Sequence, residues 1–291
     1  MDITLTLKCN NNCLFCPRKG YLKTIACVSS KEIYRDIEKT RRVSDEIALS
    51  GGEVTLLEDL EDIVGFCGEK GFRKIGIITN GRRLKDVKFA ERLIRAGVKD
   101  FAVSLYSWRD KIHDAITRKR GSARDTKRGL LNLFRLSRRY PIGIRVNTVL
   151  NYWNCRDLPG TIKTLFSYGV RNFIVAEQVI INREAEHLLA PEIKDALKQI
   201  LGLTLKNTRL VFRGFPLCFA PICEGVSPEG FILKKQDPRI ILEKQEINTL
   251  VKKSSSKDKY LGDFRKLFTH VKKCRDCALK KSCFGMQKAY L

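Results

Sequence analysis

Residues 8–16 read Lys8-Cys9-Asn10-Asn11-Asn12-Cys13-Leu14-Phe15-Cys16. They follow at once on Ile3–Leu7, an apolar, β-branched run that reads as a strand. The C-x3-C-x2-C spacing places three thiols on one short loop behind that strand. If the strand is parallel to its neighbours, the loop lies at the carboxyl edge of the sheet, where α/β folds put their chemistry. Tight loops of Cys thiolates hold iron–sulfur clusters, and a [4Fe–4S] cluster takes four. Three leave one iron open, as a metal needs in order to bind a reactant. A zinc knuckle is the alternative use of the same thiols.

Outward from this loop the chain alternates strands and helices. Ser29 and Glu32 form a capping box that opens a helix running to about Arg42. Strands are expected at Glu46–Leu49, Lys74–Thr79, Asp100–Leu105, Ile142–Leu150 and Arg171–Ala176. Helices are expected at Leu57–Glu69, Lys85–Ala96, Ala123–Arg139, Asp157–Tyr168 and Pro191–Leu201, with Gly71 and Gly97 as stops. This makes six β-α units. Helical crossovers between strands demand a parallel sheet, so the class is α/β. A partial barrel and an open doubly wound sheet both accommodate the order. Near Leu201-Gly202 the character changes to short strand-like pieces, Arg209–Arg213 and Gly230–Leu233, with turn residues Pro216, Pro221 and Ser227-Pro228. The expected domains are 1–201 and 202–291, the second a small α+β, cysteine-rich unit.

Ser50-Gly51-Gly52-Glu53 follows the second strand. Paired glycines let backbone approach a ligand closely, and the carboxylate beside them suits a ligand ammonium. Together with the cysteine loop and Phe15 before its last thiol, this motif resembles the radical S-adenosylmethionine (SAM) superfamily. The resemblance covers about residues 3–180 and implies a partial (β/α)6 barrel. It implies that Cys9, Cys13 and Cys16 bind a [4Fe–4S] cluster whose open iron takes the amino and carboxylate groups of SAM. Reductive cleavage then yields a 5′-deoxyadenosyl radical that abstracts hydrogen from substrate. Phe15 would pack over SAM, and Gly51, Gly52 and Glu53 would hold its amino group. Thr79-Asn80-Gly81 looks like a frequent turn of the family. Ser104 and Asn147 would contact the SAM ribose or carboxylate, or else be buried polar residues satisfied by backbone. Arg118, between His113-Asp114 and Gly121-Ser122, would help to hold SAM. A reducing, flavodoxin- or ferredoxin-like electron donor is implied as partner.

A second cysteine group, Cys274, Cys277 and Cys283, has the spacing C-x2-C-x5-C, with Cys218 and Cys223 earlier. It resembles the auxiliary-cluster domains called twitch (one cluster) and SPASM (two), with Pro228-Glu229-Gly230 as their hairpin. Two-cluster members would carry further cysteines where Lys235 and Gln287 stand, and another beyond Leu291. One auxiliary [4Fe–4S] cluster is therefore expected, on Cys274, Cys277 and Cys283 with Cys218 or Cys223. A four-cysteine zinc site is the alternative. Cys27, Cys67 and Cys155 read as small buried hydrophobes.

With 43% hydrophobic residues the chain has material for a core, which excludes wholesale disorder. Eleven cysteines, an odd number in 291 residues, argue against a secreted disulfide scaffold. No uncharged run is long enough to span a bilayer, and Met1–Leu7 has no signal-peptide pattern, so a cytoplasmic protein with no membrane span is expected. The net charge is +24. Residues 109–145 and 251–291 each carry twelve Lys/Arg against three Asp/Glu, +9 apiece. Arg124, Arg128, Arg135 and Arg139 fall on one helical face opposite Leu130, Leu133 and Phe134. Such a stripe is either a plain solvated face or a surface for RNA, an acidic peptide or an acidic electron donor. The favoured reading is an enzyme modifying a peptide or protein. The alternatives are an enzyme acting on RNA or a nucleotide-derived small molecule, and a non-enzymatic zinc and RNA-binding module.

Overall fold

The structure, a computed structural model, describes residues 1–16, 29–178, 193–213, 215, 223–227, 230–233, 240–243, 268–270, 272–275 and 286–287. The chain divides into two compact units. The first is Met1–Asn147 with Ser167–Asn172, and the second is Thr148–Phe166 with Phe173–Leu291.

In the first unit the order is β1 (Asp2–Thr6), α1 (Ser30–Arg41), β2 (Glu46–Gly51), α2 (Leu60–Glu69), β3 (Lys74–Thr79), α3 (Val87–Ala96), β4 (Val98–Ser104), α4 (Asp110–Thr117), α5 (Ser122–Leu136) and β5 (Gly143–Leu150), whose last residues belong to the second unit. Single 3-10 turns, Val54–Leu56 and Arg83–Lys85, precede α2 and α3. Strands β1 to β5 lie side by side in chain order, every pair parallel. A doubly wound sheet reverses its strand order at a switch point. These five strands never reverse, so they wind one way, as a barrel wall does.

The local signals act as the residue types require. Ser29 Oγ accepts from Glu32 N, and Glu32 Oε2 accepts from Ser29 N, so the capping box forms and opens α1. Asp86 caps α3 by accepting from Lys88 N and Phe89 N. The helix therefore starts two residues after the expected Lys85, which lies in the 3-10 turn. Leu5, Leu49, Ile77 and Phe101, from successive strands, are fully buried. Each such side chain is worth roughly 1.5–3 kcal/mol relative to exposure. Cys67 and Cys155 are buried as small hydrophobes, while Cys27 lies outside the described residues. Helix α4 is not evident from the sequence. Its buried face is His113, Ile116 and Thr117, too polar to read as a helical stripe.

In the second unit, α6 (Leu158–Ser167) is followed by β6 (Asn172–Glu177), α7 (Ile193–Leu201) and β7 (Arg209–Arg213). Strand β8 (Cys223–Ser227) pairs antiparallel with β9 (Gly230–Leu233), Ser227 facing Gly230. Strand β10 (Ile240–Glu243) runs parallel to β7. Two-residue strands β11 (Phe268–Thr269) and β12 (Met286–Gln287) pair antiparallel. Among the described residues no helix is long and apolar enough to cross a membrane.

Candidate functional site

The cysteine loop leaves β1 and is gripped from three sides. From the β2 side, Gly52 N donates to Thr6 O at 2.6 Å and Glu53 N to Lys8 O at 2.8 Å. A Cβ on Gly51 would lie 2.4 Å from Thr6 O, and one on Gly52 2.2 Å from Lys8 O. The paired glycines thus admit the chain's own cysteine loop, where the sequence suggested the approach of a ligand. From the β3 side, the Asn80 side-chain amide donates to Asn10 Oδ1 at 2.6 Å, and Arg82 Nη1 to Asn10 O at 2.7 Å. From the third side, Asn12 N and Leu14 N each donate at 2.9 Å, to Thr117 O and Ile116 O. These carbonyls end α4 and have no partner within the helix, so the loop serves as its cap.

The thiols lie near enough to feel one another. Burial pushes the Cys13 thiol up to about 12, and neighbouring Cys16 and Cys9 add to the rise. Cys9 is raised by burial, with Glu53 and Cys16 contributing, while Asn11 N donates to its sulfur at 3.4 Å. Such thiols keep their protons until a cation compensates the thiolates. Three soft donors on one part-buried loop fit an iron–sulfur cluster with one iron left open. Among the described residues no three His, Cys, Asp or Glu side chains converge on a single metal ion. A four-iron cluster takes each thiolate on a different iron, so this leaves its fit untouched.

Glu53 is fully buried. Its Oε1 accepts from Thr79 Oγ1 at 2.5 Å, Thr55 Oγ1 at 2.6 Å and Thr55 N at 3.2 Å, and its Oε2 accepts from Asn80 N at 2.6 Å. Burial nevertheless dominates and raises its pKa. The carboxylate ties the loop after β2 to the end of β3, and Oε2 keeps spare acceptor capacity.

Phe15 is buried against Tyr106, edge to face, with ring centroids 5.0 Å apart. Tyr106 stacks on His113 at 5.4 Å, and its hydroxyl bonds the side chains of both Cys13 and Ser104. Burial, with Cys13 nearby, raises the Tyr106 pKa far above its usual value. Ser104 faces Asn147 in the β4–β5 register, and among the described residues the buried Asn147 Oδ1 has no hydrogen-bond partner. Arg118 is exposed, in left-handed conformation at the end of α4, one residue beyond the carbonyl that Asn12 bonds. All the sequence-expected residues of the first site therefore fall in the first unit, around one loop. Sequence reasoning did not find Tyr106, His113 or Arg82, and left Asn80 without a role. Arg82 looks like one more surface cation in a basic chain, yet its side chain is 13% exposed and pairs with Asp125.

Of the second cysteine group, Cys223 begins β8 and Cys274 ends a 3-10 turn, Lys272–Cys274. Cys218, Cys277 and Cys283 lie outside the described residues. Arg124, Arg128, Arg135 and Arg139 are exposed along α5 and just past its end, while Leu130 and Leu133 are buried.

A probable GTP 3′,8-cyclase of Methanothermobacter marburgensis is 35% identical over 124 residues, 41% of this chain and 39% of that protein. The chain thus aligns with about two fifths of the length of this relative. An Fe-coproporphyrin III synthase of Methanosarcina barkeri is 25% identical over 261 residues, 87% of this chain and 63% of that protein. Among solved structures, Streptococcus suis SuiB bound to S-adenosylmethionine matches with TM-score 0.65 and 18% identity, over 99% of this chain and 72% of that one. Native anSMEcpe with bound AdoMet and a peptide matches with TM-score 0.55 and 15% identity, over 68% of this chain and 57% of that one. These structural likenesses bear on the fold, which is that of the SAM-binding partial barrels. The family model described as the Radical SAM superfamily matches residues 3–165, from β1 into α6. That is more than half of the sequence, and the chain belongs to the radical SAM superfamily.

Proposed function

We propose that the protein is an enzyme that cleaves SAM reductively and abstracts a hydrogen atom from a peptide or protein substrate. The observation that carries this reading is the three-thiol loop behind β1, fixed by hydrogen bonds from both neighbouring loops and from α4. Cys9, Cys13 and Cys16 would each hold one iron of a [4Fe–4S] cluster. When bound, the cluster supplies the electron that breaks SAM into methionine and a 5′-deoxyadenosyl radical. Gly51, Gly52 and Glu53 hold the loop in place and offer Oε2 and backbone carbonyls to the SAM amino group. Ser104 and Asn147, paired across β4 and β5, offer polar atoms to the ribose or carboxylate, and the unpartnered Asn147 Oδ1 is a ready acceptor for a hydroxyl. Phe15, set edge-on by Tyr106, supplies an apolar wall, and Arg118 supplies positive charge for the carboxylate.

Residues 202–291 would form an auxiliary domain with one [4Fe–4S] cluster on Cys274, Cys277 and Cys283 plus Cys218 or Cys223. Peptide as substrate draws support from the fold neighbours, since SuiB and anSMEcpe have been crystallised with peptides. The 35% identity to a GTP 3′,8-cyclase favours a second reading, a nucleotide-derived small molecule. That identity covers 41% of this chain, so it leaves most of any substrate pocket uncompared.

The test is anaerobic iron and sulfide counting, followed by assay of 5′-deoxyadenosine formed from SAM with dithionite. About eight irons are expected, four for each of two clusters. Changing Cys9, Cys13 and Cys16 together to Ala should remove about four irons and all SAM cleavage. An iron-replete wild type that forms no 5′-deoxyadenosine with any peptide or nucleotide offered would overturn the proposal.

A further inference from the structure

The first unit carries a basic edge that SAM cleavage does not use. Lys119, Arg120, Arg124 and Arg128 are exposed. Among the described residues none of the four has a carboxylate within ion-pair distance, whereas neighbouring cations do. Lys127 pairs with Asp110, and both Arg82 and Lys85 pair with Asp125. Unpaired cations placed side by side repel one another, and an anionic partner relieves that repulsion.

The position of this edge is fixed by hydrogen bonds. Asn12, inside the Cys9–Cys13 spacer, bonds Thr117 O at 2.9 Å, and Lys119 and Arg120 follow two and three residues later. Asp114 then locks the turn into α5. Its Oδ2 accepts from Gly121 N at 2.6 Å, and its Oδ1 from Ser122 Oγ at 2.9 Å and Ala123 N at 2.8 Å. The first turns of α5, bearing Arg124 and Arg128 on one face, are therefore built rigidly onto the cysteine loop.

We infer that Lys119, Arg120, Arg124 and Arg128 form the docking surface for an acidic electron-carrier protein of the flavodoxin kind, which approaches the cysteine loop from the α4–α5 side. The inference rests on the proposed reaction, which consumes an electron that the chain itself does not supply. One electron leaves the carrier's reduced flavin, and the oxidised cluster gains it. No covalent bond changes, and the carrier departs one electron more oxidised. Charge complementarity at such an edge speeds encounter and aligns the partner.

The experiment uses the iron-loaded full chain and a reduced flavodoxin at about 50 mM salt. Flavodoxin binding, flavodoxin-driven SAM cleavage and dithionite-driven SAM cleavage are measured for wild type, K119E/R120E and R135E/R138E. The two double variants change net charge equally, but Arg135 lies roughly 16 Å along the helix from Arg124 at 1.5 Å per residue, beyond the Debye length of about 10 Å. K119E/R120E is expected to weaken binding and slow the flavodoxin-driven rate about tenfold or more, with dithionite-driven cleavage unchanged and R135E/R138E within about twofold of wild type. Equal loss in both variants would overturn the local docking surface and leave only net-charge attraction. Unchanged binding in K119E/R120E would overturn it too, as would loss of single-stranded RNA binding with flavodoxin binding retained. A wild type that binds flavodoxin at this edge yet cleaves no SAM with dithionite would count against the proposed reaction alone, because the binding arm judges the surface separately.

Discussion

The backbone N–H of Asn80 lies 2.6 Å from Glu53 Oε2, while the side chain of the same asparagine reaches Asn10 Oδ1, also at 2.6 Å. One residue at the end of β3 thus joins the loop after β2 to the spacer between two of the three thiols. The Gly-Gly-Glu motif works inward in the same way. Its N–H groups hold residues 6 and 8, and its carboxylate holds residues 55, 79 and 80. The geometry of the cysteine loop is therefore set by its neighbours before any cluster is present.

Glu53→Gln tests this. Glutamine offers one acceptor oxygen in place of two, and its NH2 must face either Asn80 N–H or the three donors on the other side. At least one buried donor then loses its partner, at a cost of about 1–3 kcal/mol, with donor–donor repulsion added. Urea unfolding of the iron-free variant should show a lower midpoint at unchanged slope. A midpoint equal to that of wild type would mean that the carboxylate has no structural part.

Two glycines separate close approach from mere flexibility. A methyl on Gly52 would sit 2.2 Å from Lys8 O and 2.6 Å from Leu7 O, both backbone atoms that cannot turn aside. Gly65, in α2, has nothing within 4 Å of such a methyl. Gly52→Ala should displace the cysteine loop, lower iron loading by more than half, and destabilise the apoprotein by about 1–3 kcal/mol or more. Gly65→Ala should leave iron loading alone and stabilise by roughly 0.5–1 kcal/mol. Equal iron content in both variants would refute the packing account.

Much of this was legible in the sequence, because the signals were local. Strand β3 has the bounds expected from its β-branched run, and Ser29 with Glu32 forms the capping box its spacing announces. The residues that escaped notice act over long sequence separations. Arg82 holds Asn10 from 72 positions away, and nothing local distinguishes it from the other cations of a +24 chain. Tyr106 reads as an ordinary aromatic at a strand end until β4 brings it to Cys13. Helix α4 was lost because its buried face carries a histidine and a threonine.

Tyr106→Phe should change the electronics of the site without emptying it. The hydroxyl bonds the Cys13 sulfur, and hydrogen bonds to cluster sulfurs are among the factors that set reduction potential. Their loss disfavours the more negative, reduced state. The variant should keep its iron, and its SAM-site cluster should titrate at a more negative potential when followed by electron paramagnetic resonance. An unchanged potential in an iron-replete variant would show that the hydroxyl serves packing and Ser104 only.

His113 makes the apoprotein's stability depend on pH in a window where its thiols do not titrate. The ring is fully buried, and its Nδ1 accepts from Tyr106 N at 3.2 Å, so the proton is assigned to Nε2. Burial pushes its pKa down to about 4; among the charges facing it, Asp114 and Asp110 oppose the fall while Lys127 and Arg82 reinforce it. In the unfolded chain the pKa returns to about 6.5. Between these values the unfolded state binds a proton that the folded state refuses, so this contribution to stability is complete above about pH 6.5 and is lost as pH falls towards 4. One proton bound over that interval is worth about 1.4 kcal/mol for each pH unit, and the loss comes to about 3 kcal/mol. His113→Asn keeps an acceptor for Tyr106 N and removes the titration. Urea unfolding of the iron-free protein from pH 7 to pH 4 should therefore show a slope flatter by up to about 1.4 kcal/mol per pH unit in the variant. Parallel slopes for variant and wild type would mean that His113 takes up its proton in the fold as readily as in the open chain.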